Sequence, residues 1–282
     1  MIRAVSLTRP TTTLLTVISC AALLYTVSPI VAAAVGPPLG SASRFAVLAG
    51  TAVTCTDSIV TGDVGVWPGT AVTNTNCAID GTVHAADDVA KQAYLDFINA
   101  YNNLRDQPPA CVSIPGTLDG QFLAPGVYCV TSEAKTGTLT LVAGGAANPQ
   151  WIFLVDGALT GTLFNVVMDG GEPCDVLWWA EAAATMTDSN FVGTIMAGAA
   201  ITVTGGAFHG DVLATAAVTL TGTTITDCAP APQPGHPRGK CNQGVGNGPE
   251  ACDPGNSNHR HPSNDERGGT PGNPGRKPAN RP

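Results

Sequence analysis

Over residues 185–228, apolar and polar positions alternate in short bursts that restart on a fixed beat. The triplets Thr185-Met186-Thr187, Thr202-Val203-Thr204 and Thr219-Leu220-Thr221 follow one another at 17-residue intervals. Other columns keep the same register: Asp188 with Gly205 and Gly222, Phe191 with Phe208 and Ile225, Ile195 with Val212. Alternation with a period of two is a strand signal, and its return at a fixed interval with glycine between copies is how stacked strands are written. The pattern predicts a β-solenoid. Period-two geometry sends Met186, Val203 and Leu220 to one side of their strands and the flanking threonines to the other. With the apolar set inside, the threonines form an outward grid, about 4.8 Å between rungs and about 6.7 Å along each strand. Threonine is a common solvent-facing strand residue, so one Thr-x-Thr means little. Three in one register mark a purposeful surface.

The rest of the chain extends this picture. Residues 39–54 and 59–66 read as strands, and after Ile79-Asp80-Gly81 the period changes. Val89, Ala93, Phe97, Tyr101 and Leu104 recur at helical spacing, widened by Ala90, Tyr94 and Ile98, which predicts a helix over about residues 85–105. Asp87 and Asp88 fall in its first turn, where the helix dipole favours negative charge, and Pro108-Pro109 stops it. A lone helix of this length cannot bury its own apolar stripe, so it is expected to lie along the coil. Strands resume over residues 116–130, 139–142, 150–155, 159–168 and 176–184. Gly62-Asp63-Val64 echoes Gly210-Asp211-Val212, a hint that early and late segments share one coil. Beyond Cys228 the pattern dissolves into Pro, Gly, Asn and charge, so 229–282 reads as a disordered tail.

Charged residues make up 12% of the 282 and hydrophobic ones 44%, a globular and β-rich composition. The net charge of −8 hides an asymmetry: residues 39–228 hold four basic against 17 acidic residues, whereas 229–282 hold seven against four. An acidic, lysine-poor body argues against nucleic acid as a partner. Arg3 and Arg9 precede an apolar run and then Ala32-Ala33-Ala34, the order of a secretory signal spanning 1–34. Thr, Ser and Pro29 break the run, so no transmembrane segment is expected in the mature chain. The alternative is a lipoprotein-type site, with a lipid anchor at Cys20. Export accounts for the remaining cysteines, Cys55, Cys77, Cys111, Cys129, Cys174, Cys228, Cys241 and Cys252, as disulfide candidates. Nearness suggests Cys55 with Cys77 and Cys111 with Cys129, while Cys241 and Cys252 bracket a loop in the tail. With no Cys-x-x-Cys and scattered histidines, no metal or other cofactor is expected.

Taken in order, Leu-Gly-Ser-Ala-Ser-Arg-Phe-Ala-Val-Leu-Ala-Gly from Leu39, Gly62-Asp63-Val64-Gly65-Val66-Trp67-Pro68-Gly69, the helix running to Ala100-Tyr101-Asn102, Leu123-Ala124-Pro125-Gly126-Val127-Tyr128 and the late Thr-rich rungs resemble the bacterial and fungal ice-binding proteins of the DUF3494 type. The resemblance covers about residues 39–228. It implies a mostly β fold, a discontinuous right-handed β-solenoid of triangular cross-section with one long helix alongside, and adsorption to ice through one flat side. It also implies a face written loosely as Thr-Ala/Gly-x-Thr/Asn. Thr221-Gly222-Thr223-Thr224 fits, Thr204-Gly205-Gly206-Ala207 departs at its last place, and Thr187-Asp188-Ser189-Asn190 puts a carboxylate where a small residue is expected. The candidate ice contacts are Thr185, Thr187, Thr202, Thr204, Thr219, Thr221, Thr223 and Thr224.

Ice binding needs no catalysis, and an enzyme is not expected. The acid pairs Asp63 with Asp211 and Glu172 with Asp175 sit beside glycine or proline, where turn chemistry explains them. The competing class is a surface adhesin or carbohydrate-binding module built on the same stiff coil; exposed aromatics such as Trp178-Trp179 bind sugars, though at least one of the two rings is expected to pack inward. The expected product is a secreted monomer whose partner is the ice surface, with envelope contact through the tail.

Overall fold

The computed structural model describes residues 35–228 apart from Gln107. The 1–34 segment with Cys20, and the 229–282 tail with Cys241 and Cys252, lie outside the described residues. Every strand pairing in the described body is parallel, and successive coils stack their strands in register. Each full coil contributes one strand to each of three faces. The first face stacks Leu159–Asp169, Ala184–Thr187, Ile201–Thr204, Val218–Thr221, Ala52–Thr56 and Ala71–Thr75 in that order. The second, reached round a tight corner in the same sheet, holds Asn190–Val192, Ala207–His209, Thr224–Thr226, Ile59–Thr61 and Ala78–Asp80. The third is a nine-stranded sheet running from Val112–Ile114 to Val83–Ala85.

The order along the stack is not the order along the chain. Val218–Thr221 pairs with Ile201–Thr204 on one side and with Ala52–Thr56 on the other. On the third face Val47 lies between Val212 and Val64. Early and late segments therefore complete one coil, as the paired Gly-Asp-Val words suggest. The inward positions Met186, Val203 and Leu220 are buried, and Phe191, Phe208 and Ile225 stack in the expected column. Aromatic rings fill the wider coils: Phe153 lies 3.8 Å from Trp178, which meets Phe191 at 5.1 Å, and Phe191 meets Phe208 at 5.0 Å. Burying each ring contributes on the order of 2 kcal/mol, and the unbroken column leaves the coil little freedom to flex. Trp178 is thus interior, while Trp179 stacks on Tyr101 of the helix.

Polar groups close the two ends of the coil. At one end Asn74 occupies the inward position, and its amide bonds both the N–H and the carbonyl of Cys77. At the other, fully buried Lys135 occupies an inward position and its ammonium donates to the carbonyls of Gly116, Thr131 and Glu133. Burial lowers its pKa, and the three acceptors satisfy the charge.

The helix Asp88–Asp106 covers the third face, burying Ala93, Phe97, Tyr101 and Leu104 against Phe45, Leu48, Met196 and Leu213. It starts three residues later than its periodicity suggests. Residues Val83–Ala85 are held as a strand by Val64 to Val66, and Asp87 is the cap, accepting the Ala90 N–H at 2.8 Å. Val89 is exposed rather than buried, and Ala90 takes its place on the buried stripe. The run 39–54 is likewise not one strand but a 3-10 turn, Gly40–Arg44, and two strands on different faces. Disulfides join Cys55 to Cys77, Cys111 to Cys129 and Cys174 to Cys228.

Candidate functional site

The first face is chemically uniform. Six of its strands spell Ala-x-Thr-x-Thr: Ala52 to Thr56, Ala71 to Thr75, Ala158 to Thr162, Ala183 to Thr187, Ala200 to Thr204 and Ala217 to Thr221, and Lys135–Val142, which pairs with Leu159–Asp169 at the end of the stack, lies outside this set. In register, Thr160, Thr185, Thr202, Thr219, Thr54 and Thr73 form one column, and Thr162, Thr187, Thr204, Thr221, Thr56 and Thr75 a second. The six alanines lie two residues before the first threonine column and line its edge, Ala52 and Ala71 inside their strands and the other four immediately before theirs. None of the threonines is buried, and the residues between them, from Met186 to Cys55, point inward. Six rungs about 4.8 Å apart span about 24 Å, with the two threonine columns about 6.7 Å apart.

Six of the eight threonines picked from the sequence lie in these columns: Thr185, Thr187, Thr202, Thr204, Thr219 and Thr221. The other two do not. Thr223 is 2% exposed and turned into the corner, with its hydroxyl donating to the Gly206 carbonyl, so it cannot contact a surface. Thr224 is exposed but begins the second face, in register with Asn190, Ala207 and Ile59. The reason is local. Residues 163, 188, 205, 222, 57 and 76 all adopt positive φ, between 46° and 65°, and this left-handed corner resets the alternation so that the next side chain turns inward. The word Thr-Ala/Gly-x-Thr/Asn is therefore a corner word. Its first threonine belongs to one face, its small residue takes the left-handed turn, and its last residue belongs to the next face.

The same corner explains Asp188. It stands at the rim between two faces, beside Gly205, and not within either threonine column. Asp57 takes the equivalent place and accepts a 2.7 Å hydrogen bond from the Asn76 amide. The Ala/Thr columns themselves contain no ionisable side chain. The second face is mixed by comparison: it carries Asn190, Ile59, His209 and Asp80 as well as Thr61 and Thr226. The helix occupies the third.

The six missed threonines, Thr54, Thr56, Thr73, Thr75, Thr160 and Thr162, repeat the same five-residue word. Searching for that word, rather than for the 17-residue interval, recovers them.

The other acids singled out from the sequence are structural. Glu172 and Asp175 close a 3-10 turn, the Glu172 N–H donating to Asp175 Oδ2 at 2.8 Å. Asp63 Oδ1 accepts the Thr82 N–H at 2.9 Å. Asp211 is fully buried, accepting the Thr194 hydroxyl at 3.1 Å and the Cys228 N–H at 3.3 Å. Among the described residues no group of three or more His, Cys, Asp or Glu could hold a metal ion, and no helix is long and apolar enough to cross a membrane.

The profile of the Ice-binding-like family matches residues 47–226. An ice-binding protein of Nostoc sp. is 37% identical over 164 residues, which are 56% of this chain and 61% of that one. This chain thus spans about three fifths of that relative's length. The ice-binding protein K3-B1 of Typhula ishikariensis is 32% identical over 193 residues, 58% of this chain and 79% of its own. Among solved structures, the ice-binding protein of the Antarctic ascomycete Antarctomyces psychrotrophicus aligns with a TM-score of 0.64 at 32% identity, covering 68% of this chain and 98% of that one.

Proposed function

The chain belongs to the Ice-binding-like family, and from that premise we propose that it is a secreted protein that adsorbs to ice through its Ala/Thr face and so slows ice growth and recrystallisation. One observation carries the choice of face: twelve threonines stand in two unbroken columns of six, flanked by a column of alanines. Ice offers oxygens at fixed spacings. A plane of methyls and hydroxyls repeated at fixed spacings can hold a layer of ordered water over itself, and that layer joins the lattice. Each such contact is weak, so affinity depends on many of them being in place before binding. The parallel ladder supplies that rigidity, helped by the stacked rings of Phe153, Trp178, Phe191 and Phe208 inside the coils of the first three rungs. A neutral face also avoids the firmly hydrated charges that would compete with an ice-like layer, and Asp57 and Asp188 stay at its rim.

The test is an ice-affinity partition with crystal-shape and recrystallisation assays on the purified protein. Thr204→Tyr puts a ring above the plane between Thr187 and Thr221 and should abolish all three signals. His209→Tyr, on the second face of the same coil, should leave them intact. Both positions are exposed, so stability should change by no more than about 0.5 kcal/mol. Failure of the wild-type protein to bind or shape ice would remove the proposal, and loss of activity in His209→Tyr alone would move the site to the second face.

A further inference from the structure

Directly behind the second threonine column, at the corner where the strand ladder is interrupted, runs a set of buried side chains that bond from coil to coil. Ser58 is 2% exposed, Thr223 2% and Ser189 4%. Ser58 Oγ donates to the Thr56 carbonyl at 2.8 Å and accepts the N–H of Thr223, in the neighbouring coil, at 3.1 Å. Ser189 repeats the arrangement, donating to the Thr187 carbonyl at 2.9 Å and accepting the Phe164 N–H at 3.1 Å. Thr223 Oγ1 reaches the other way, to the Gly206 carbonyl at 3.3 Å. Each hydroxyl sits two residues after a threonine of the second column and immediately after the left-handed corner residue. The N–H groups of Thr223 and Phe164 would otherwise be left unsatisfied in the interior, which is costly, whereas the carbonyls of Thr56 and Gly206 also accept the backbone N–H groups of Gly222 and Thr224.

We infer that Ser58, Ser189 and Thr223 are positioning residues that set the height and register of Thr56, Thr187 and Thr221 across the corner, and so determine whether the outer threonine column is flat enough to hold ordered water. The inference rests on the ice-binding reading of that face. A regular grid needs its rungs level to a fraction of an ångström. The strand ladders secure the rungs along their length, but at the corner, between the backbone bonds of Gly222 to Thr56 and of Ile59 to Thr223, the Thr223 N–H is met by the Ser58 side chain instead of by backbone. Two of these hydroxyls tie to the carbonyl of a grid threonine, Thr56 or Thr187, and to the adjacent coil at once. In Thr56-Asp57-Ser58 and Thr187-Asp188-Ser189 the third residue is therefore the fastening of the first, and Thr223 ties its own corner to the Gly206 carbonyl of the next coil.

The experiment uses the full exported chain with Ser58→Ala, Ser189→Ala and Thr223→Val, which remove the hydroxyl, against Thr223→Ser, which keeps it. Val64→Ala, a core truncation on the third face, serves as the control for lost stability. The hydroxyl-less variants should need on the order of tenfold more protein to arrest recrystallisation, while Thr223→Ser and Val64→Ala act as wild type even where Val64→Ala melts at lower temperature. Wild-type activity in the hydroxyl-less variants, or activity that follows melting temperature whatever the site, overturns the inference. If the wild-type chain leaves ice untouched, the reading of the face fails, and hydrogen exchange alone decides the ladder. Selective release of the Thr223 amide in Ser58→Ala and of the Phe164 amide in Ser189→Ala supports it, and unchanged protection overturns it.

Discussion

Replacing Asp211 by Asn should make the protein more stable at neutral pH and nearly unchanged in acid. Burial raises the Asp211 pKa to about 7 from an ordinary 3.8, the hydrogen bonds from Cys228 and Thr194 opposing the shift and the charge of Asp227 adding to it. The sign follows from which state holds the proton. Between these two values the folded chain keeps the proton that the unfolded chain has released. The contribution to stability is therefore complete below 3.8, falls as pH rises through the folded pKa of about 7, and is flat beyond. At roughly 1.4 kcal/mol per decade, the interval is worth about 4 kcal/mol. Asn keeps the shape: its carbonyl can accept the Cys228 N–H and its amide can donate to Thr194 Oγ. Denaturant melts from about pH 4 to pH 8 should show the wild type losing about 4 kcal/mol relative to Asp211→Asn. In heat this is on the order of 10 °C for a domain of this size. Parallel pH profiles for the two proteins, or a variant less stable than wild type at pH 8, would refute the burial argument.

Two further outcomes follow from the corners and the ends of the stack. Leu163 is a bulky residue at φ 50°, 64% exposed, in a column otherwise held by Asp, Gly and Asn; Leu163→Asn should stabilise the fold by about 1 kcal/mol in denaturant melts without altering ice affinity. Replacing both Cys55 and Cys77 by Ala removes a link across 22 residues and should cost about 3 kcal/mol, with hydrogen exchange quickening first in the terminal rung, Ala71–Thr75.

The late repeats made the fold legible because there the chain adds one coil every 17 residues and changes nothing else. Met186, Val203 and Leu220 needed only the period-two rule to be placed inside. The face was half legible for a topological reason. From Ala158 to Ala183 the step is 25 residues, and from Ala52 to Ala71 it is 19, because corner lengths vary where loops such as 170–175 are inserted. A search for one interval stops at such insertions. The neighbour of Val218–Thr221 is a strand some 165 residues earlier, a relation no local window contains. Thr223 failed for a different reason: a left-handed residue flips the phase of alternation, and nothing in Thr-Gly-Thr-Thr alone says which threonine the turn swallows. Val89 failed because it lies eight residues from Phe97, about 80° round the helix and so at the edge of the buried stripe, which Ala90 occupies in its place.

The position of the splice between early and late segments bears directly on the function. Val218–Thr221 and Ala52–Thr56 adjoin within the grid, so four threonine rungs lie on one side of the join and two on the other. Residues 158–221 alone could align four rungs; the last two join only when the N-terminal segment docks on the final coil. Closing so long a loop is entropically costly and slow, and it is stabilised by the third face, where Phe45–Ala49 pairs with Val212–Ala214 and the helix seals Phe45, Leu48 and Leu213. The helix touches no threonine of the grid, yet by holding the early coils against the late ones it makes the grid six rungs long. Because many weak contacts must be satisfied together, shortening the columns by a third should cost far more than a third of the affinity. A substitution such as Phe97→Ala, remote from the face, should therefore weaken ice adsorption by loosening the rungs of Thr54, Thr56, Thr73 and Thr75 before the rest of the coil unfolds. Hydrogen exchange read beside the ice partition would expose that order, and uniform loosening of all six rungs would contradict it.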